Sequence, residues 1–71
     1  MTEELAWVIE RYIYSELHYW SGRIIDGRPS CVWVKESLEA VRFAREVDAQ
    51  NMLTCHCAGI GRVTQHAWVK P

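Results

Sequence analysis

Three side chains that bind metals stand next to one another in the sequence, at Cys55, His56 and Cys57. Thiolate and imidazole are the usual zinc ligands, and Cys31, His66 or His18 could complete a tetrahedral set. The spacing argues against such a site, because zinc knuckles separate two cysteines by two to four residues, and helix positions two apart point about 200° from each other. A small structural zinc-binding module using Cys55, Cys57 and His66 is therefore kept as the alternative function.

A cysteine beside a histidine also suggests nucleophilic catalysis. That chemistry needs a base within hydrogen-bond reach and a third group that orients it, and the sequence indicates neither. The Gly59-Ile60-Gly61 segment follows a predicted helix instead of preceding one, so it presents no helix N-terminus to a phosphate. A chain of 71 residues has little room for both a core and a walled pocket. We expect no enzymatic activity and no cofactor.

Composition indicates one small domain covering residues 1–71. A net charge of −1 argues against nucleic-acid binding, which needs a basic surface. No stretch reaches the roughly 20 apolar residues that span a bilayer, and the acidic start differs from a secretory signal. We therefore expect a cytosolic protein that does not enter a membrane, with its three cysteines as free thiols.

The clearest structural signal is a helix over residues 46–57. Ala49, Met52, Leu53 and His56 recur at helical spacing and predict one buried stripe. Acidic residues occupy the first turn, and Gly59 is typical of a left-handed helix stop with a Schellman-type cap.

The segment before this helix is harder to interpret. Residues 5–20 fit a helical stripe as well as strands, and their aromatic and β-branched residues favour a hairpin with strands at 6–12 and 17–21. The turn would lie near Tyr14, Ser15 and Glu16, and it contains no Gly, Asn or Asp. The prediction continues with a surface loop at 21–30, a short strand at 31–34 and a brief helical turn capped by Ser37. A break near 42–45 makes Phe43 an anchor in the core, and a last strand follows at 62–69.

These elements predict an α+β fold. An antiparallel sheet of three or four strands packs one face on the main helix, in the order ββ(β)αβ. Arg42 and Arg45 are predicted to lie on a solvated face, with an interface for an acidic partner as the alternative.

Four segments carry a resemblance to a known type of protein. They are WVIER at 7–11, YWSG at 19–22, AVRFAREVDA at 40–49 and GRVTQHAWV at 61–69. Together they make the chain similar to short uncharacterised proteins encoded by temperate phages and prophages. The resemblance implies a non-catalytic accessory protein in the bacterial host cytoplasm that binds a host protein, in the manner of anti-CRISPR inhibitors of host defence. It implies no site residues.

A candidate binding patch comes from a repeated pattern. His18-Tyr19-Trp20 and His66-Ala67-Trp68 both read His-x-Trp, and strand alternation puts each histidine on the same face as its tryptophan. If Leu17, Tyr19, Val63, Ala67 and Val69 face the helix, the open face receives His18, Trp20, His66 and Trp68. Exposed tryptophans there would mark a homodimer contact or a host-protein site, while a reversed strand phase would make them core residues.

Overall fold

The computed structural model of the chain describes residues 2–30, 32–57 and 59–70. In chain order, the elements are β1 (Thr2–Ile13), β2 (Glu16–Trp20), β3 (Ile24–Ile25), β4 (Arg28–Pro29), β5 (Trp33–Val34), a 3₁₀ turn (Ser37–Glu39), α1 (Glu46–His56) and β6 (Arg62–Lys70).

The sheet has four antiparallel strands in the order β5-β2-β1-β6, and α1 packs on β1 and β6. The prediction of a small α+β domain with a three- or four-stranded sheet on one main helix is confirmed at this level. The element order differs in detail, because β3 and β4 form a separate ribbon inside the segment predicted as a loop. The predicted third strand is confirmed at Trp33–Val34, while position 31 lies outside the described residues.

The predicted hairpin is formed by β1 and β2, and Ile13 pairs with Glu16 beside the turn. Only Tyr14 and Ser15 form that turn, and their φ angles are 51° and 66°. Two consecutive positive φ angles are those of a type I′ turn, which normally selects Asn-Gly because these residues adopt positive φ most easily. Neither residue type is present here. The turn is therefore one residue shorter than predicted, and Glu16 belongs to β2.

A short extended segment before α1 continues the sheet where β2 ends. Phe43 and Trp7 exchange two backbone hydrogen bonds of 2.8 Å, and the Val41 N–H donates to the Trp20 carbonyl at 3.1 Å. The predicted break before the main helix is confirmed, and Phe43 packs against the core as predicted. Ser37 begins the 3₁₀ turn and does not cap it, so that part of the prediction is wrong.

The bounds of α1 agree with the predicted helix, but its buried stripe is narrower. Ala49, Leu53 and Cys57 are buried at a spacing of four residues, and Met52 is half-buried. His56 is exposed, so its assignment to the buried stripe is wrong. The buried line of Ala49, Leu53 and Cys57 is narrow, so the helix packs on the sheet through these residues and leaves His56 in solvent.

Both ends of α1 are held by local hydrogen bonds. Arg45 donates from Nε and Nη2 to the Asp48 carboxylate at 3.0 and 2.9 Å, and these hydrogen bonds raise the pKa of Arg45 above its ordinary value. At the other end, Gly59 has a φ of 72° and its N–H donates to the Leu53 carbonyl at 3.0 Å. Glycine adopts this left-handed conformation without steric cost, so the predicted left-handed glycine after the helix is confirmed. The hydrogen bond joins residues six apart in the chain, one more than in a Schellman motif, so the predicted type of cap is wrong.

The sheet has two faces, and both carry buried side chains. On the helix-side face, the buried cluster comprises Ile9, Trp20, Ala49, Leu53 and Cys57. On the opposite face, called the open face below, it comprises Ala6, Val8, Ala40 and Trp68, with Tyr19 packed against it. Successive residues of a strand point to opposite faces, which is why β1 supplies Ile9 to one cluster and Val8 to the other.

Candidate functional site

The four residues of the predicted patch do not share one face. Trp20 is only 2 % exposed and packs among the helix-side residues, with its ring stacked on Phe43 at a centroid distance of 6.5 Å. His18 is two residues away on β2 and lies on the same face by alternation. The placement of Trp20 and His18 on the open face is therefore wrong. The hairpin register is the cause, because β2 pairs Arg11 with His18 and so aligns both with the helix-side face.

His66 and Trp68 do lie on the open face, as predicted for β6. They pair with Ala6 and Glu4 of β1. Trp68 is nevertheless only 8 % exposed, because it packs in the buried cluster with Ala6, Val8 and Ala40, and Arg42 lies over its ring. His66 keeps 37 % of its side chain exposed. The open face therefore carries one accessible member of the predicted patch and one buried member.

The centre of the open face is Glu10, which the sequence analysis did not identify. Its side chain is 3 % exposed, and it is the only charged or polar side chain that is buried in the described part of the chain. Arg62 donates from Nε to Glu10 Oε1 at 2.9 Å, and His66 Nε2 lies 3.2 Å from Glu10 Oε2. The Thr64 hydroxyl lies 3.0 Å from the same His66 nitrogen. The sequence does contain one indication, because every second residue of a strand points to the same face, and this places Glu10 on the face of Ala6 and Val8.

A carboxylate buried this deeply is costly unless charged or hydrogen-bonding partners surround it. Here the partners come from β6, the strand that pairs with β1 over nine residue pairs. Glu10 pairs directly with Arg62 in that register, so the ion pair acts between strand neighbours. A slip of one residue would move Arg62 to the other face and leave the carboxylate without its cation. The cluster thus favours this strand register.

Arginines lie over aromatic rings at two places on the open face. The Arg42 guanidinium carbon is 4.3 Å from the Trp68 ring centroid, and that of Arg62 is 5.6 Å from the Tyr12 centroid. Both distances are within the range of cation–π attraction. Between them, the rings of Tyr19 and His66 meet edge to face at 6.1 Å. The open face therefore presents a row of aromatic and guanidinium groups.

Trp68 also carries an unsatisfied polar atom. Its Nε1 is buried and has no hydrogen-bond partner in the structure, the only such side-chain atom found among the described residues. A buried donor without an acceptor lowers stability by about 1–3 kcal/mol relative to a satisfied one. Trp20 differs in this respect, since its Nε1 donates to the Ser30 carbonyl at 2.7 Å.

The zinc alternative is not supported by the geometry. Cys57 is buried in the helix-side cluster, whereas His66 lies on the open face, on the other side of the sheet. Cys55 is exposed, and Cys31 lies outside the described residues. Across the described ranges, no three His, Cys, Asp or Glu side chains are close enough to hold a metal ion. The predicted ligand set is therefore not brought together.

A shallow depression of about 370 Å³ lies along α1 and is largely open to solvent. It is lined by Phe43, Asp48, Asn51, Met52, Cys55 and His56. Cys55 and His56, adjacent in sequence, thus share one wall. The depression is separate from the open face, because α1 packs against the other side of the sheet.

No family model, curated protein or solved structure matches the chain. No helix in the described part of the chain is both long and apolar enough to cross a bilayer. The resemblance to short phage and prophage proteins stays a prediction.

Proposed function

We propose that this chain is a non-catalytic accessory protein of phage or prophage type that binds a protein of its bacterial host, in the host cytoplasm, through the open face of its sheet. Inhibition of a host defence system is the role that the sequence resemblance implies. The observation that carries the proposal is the row of aromatic and guanidinium groups centred on Glu10.

The composition of this row is that of an interaction surface. Tyrosine, tryptophan and arginine are the residue types enriched at the centres of protein interfaces and among binding hot spots. Tyr12 is 59 % exposed, and the Arg62 side chain beside it is also 59 % exposed. α1 covers only one face of the sheet. On the open face Ala40 packs into the buried cluster, and the side chains that stay exposed around this cluster must meet solvent or a partner.

The same row is partly preorganised for binding. Arg62 is held by Glu10, which is itself fixed in the sheet, and Arg42 lies on the Trp68 ring. Side chains that are already ordered lose less conformational freedom when a partner docks. Arg42 and Arg62 are both exposed, at separate places in the row, and they favour a partner surface that carries carboxylates.

The test compares two open-face variants with a helix-side control. Tyr12→Ala and Arg42→Ala change the row, while Thr54→Ala changes an exposed residue of α1 on the other side of the molecule. Each tagged protein is used for capture from a bacterial lysate, and bound proteins are identified by mass spectrometry. We expect one host protein to be retained by wild type and Thr54→Ala and lost with the other two.

The purified host protein then gives the decisive measurement. We expect Arg42→Ala to weaken its binding roughly tenfold, which corresponds to about 1.4 kcal/mol, and Thr54→Ala to leave it unchanged. Equal binding by all three variants would assign the contact to another surface. Absence of any saturable host ligand would overturn the proposed function itself.

A further inference from the structure

The outer edge of β6 is open, and its hydrogen-bonding groups can be assigned. Trp7 directs both its N–H and its C=O to Phe43, away from β6. In the antiparallel ladder Trp7 is paired with Gln65. Opposed residues either exchange both hydrogen bonds or neither, so this pair is non-hydrogen-bonded and the backbone groups of Gln65 point away from β1.

The same alternation fixes the rest of the strand. Positions 63, 65, 67 and 69 direct their backbone groups to the outer edge, and positions 64, 66 and 68 bond to β1. Among the described residues, β6 has no other neighbour in the sheet. Gln65 and Ala67 are exposed, so α1 does not overhang this edge.

Between its terminal Arg62 and Lys70, this edge also lacks the features that normally prevent strand pairing. Soluble proteins protect their edge strands by shortness, charged residues, proline or a bulge. The opposite edge of the sheet is β5, which has only two residues and is followed by Lys35. β6 has nine residues, and the run VTQHAWV at 63–69 contains no charged residue, proline or glycine.

We propose that β6 pairs with β6 of a second copy of this chain, in antiparallel orientation about a two-fold axis at His66. In this register position 63 opposes 69 and position 65 opposes 67, so all four outward-directed residues of each copy form hydrogen bonds. An axis at Gln65 or Ala67 would leave one of the four without a strand residue opposite it. The result is a continuous eight-stranded sheet, built from two four-stranded ones.

The side chains along β6 suit pairing with itself. Val63 would oppose a second valine, and Thr64 would oppose Trp68 of the second copy, both of them pairings of residue types that favour strands. Closed two-fold dimers are also the commonest homo-oligomers. The one unfavourable pair is terminal, where Arg62 would oppose position 70, a lysine in the sequence. Salt screens repulsion between like charges, so this dimer should tighten as ionic strength rises.

Analytical ultracentrifugation tests the dimer with a matched pair of variants. Ala67→Lys puts a charge on the outer edge, and Thr54→Lys adds the same charge on the exposed side of α1. We expect the first to weaken dimerisation roughly tenfold and the second to leave it unchanged. Gln65→Pro removes an outward N–H that β1 does not use, so it should give a folded monomer.

Amide hydrogen exchange tests the register independently. Gln65 and Ala67 should be protected in concentrated samples and lose protection on dilution, while Thr64 and His66 stay protected in both. A wild-type chain that remains monomeric at every concentration and salt level would overturn the proposal. So would a dimer that Ala67→Lys leaves intact, or dilution-dependent protection at Thr64 and His66 in place of their neighbours.

This outcome is separable from the proposed host binding, because the two contacts respond oppositely to salt. A carboxylate-bearing partner on the open face should bind less tightly as ionic strength rises. Ala67→Lys should leave that binding in place, since Ala67 faces the helix side of the sheet by its pairing with Leu5.

Discussion

The two faces of the sheet each bury one tryptophan of a His-x-Trp pattern, and the two rings are treated differently. Trp20 donates its Nε1 hydrogen to the Ser30 carbonyl and stacks on Phe43. Trp68 has a buried Nε1 without an acceptor and an arginine over its ring. The helix-side face is therefore a core whose buried polar atoms are hydrogen-bonded, whereas the open face combines buried apolar residues with unsatisfied or charged polar groups.

The largest expected effect comes from truncating the helix-side core. Trp20→Ala should lower the free energy of unfolding by roughly 3–5 kcal/mol, and Leu53→Ala by roughly 2–5 kcal/mol, because each leaves a cavity. Losses of this size approach the whole stability of a small domain. Circular dichroism should show that both variants are already unfolded at physiological temperature, without a cooperative melt. The open-face control Tyr12→Ala should stay within about 0.5 kcal/mol of wild type. A normal melt for Trp20→Ala would contradict the assignment of the two faces.

The next effect concerns the polar centre of the open face. Glu10→Gln should lower the free energy of unfolding by roughly 1.5–3 kcal/mol, because it removes charged hydrogen bonds to Arg62 and His66 while burying an amide in their place. Glu3→Gln, an exposed change on the same strand, is the matched control. Chemical denaturation measures both. Equal stability of the two variants would mean that the Glu10 cluster does not hold the β1–β6 register.

A subtler comparison separates the two indole N–H groups. Trp20→Phe removes a hydrogen bond to Ser30, while Trp68→Phe removes a donor that has no partner. Both changes delete similar volume, so the difference between their free energies of unfolding reports the contribution of the indole N–H groups. We expect Trp20→Phe to be the more destabilising by roughly 1.5–4 kcal/mol, because it loses a hydrogen bond while Trp68→Phe removes a buried donor that has no partner. Urea denaturation of the two variants checks this, and a larger loss for Trp68→Phe would show that its Nε1 is satisfied in solution.

The smallest effect lies outside both buried clusters, at the start of β2. The hydrogen bond and charge of Lys35 lower the pKa of Glu16. A carboxyl group whose pKa is lowered on folding stabilises the protein at pH values above its ordinary pKa. That contribution is lost as the pH falls through the lowered pKa. Lys35→Met should therefore be slightly less stable than wild type at neutral pH, and the two melting temperatures should converge in acid. A constant difference across the acid range would exclude the ion pair as the cause.

Residues with strong local preferences made the coarse fold predictable. The helix over 46–57, its stop at Gly59, the strand over 62–69 and the interrupted segment around Phe43 all follow from periodicity or from glycine chemistry. The site was less predictable. Glu10 is one of three glutamates in β1, and its burial depends on Arg62 and His66, which are 52 and 56 residues away in the chain.

The phase of β2 shows why local patterns were insufficient. Tyr14 and Ser15 form a two-residue turn with positive φ angles, a geometry that their side chains do not indicate. A turn longer by one residue shifts the register and exchanges the two faces of the strand. That single residue decides whether Trp20 is a core residue or a surface residue.

Residues 18–20 and 66–68 each place a histidine and a tryptophan on one side of a strand, and this follows from the sequence because alternation is a property of the backbone. The packing of the folded chain selects which side that is. The hairpin register turned Trp20 toward α1, and the β1–β6 register turned Trp68 away from it. The physical reason is that a face acquires its identity from what packs on it, and α1 lies distant in sequence from β1 and can cover only one face.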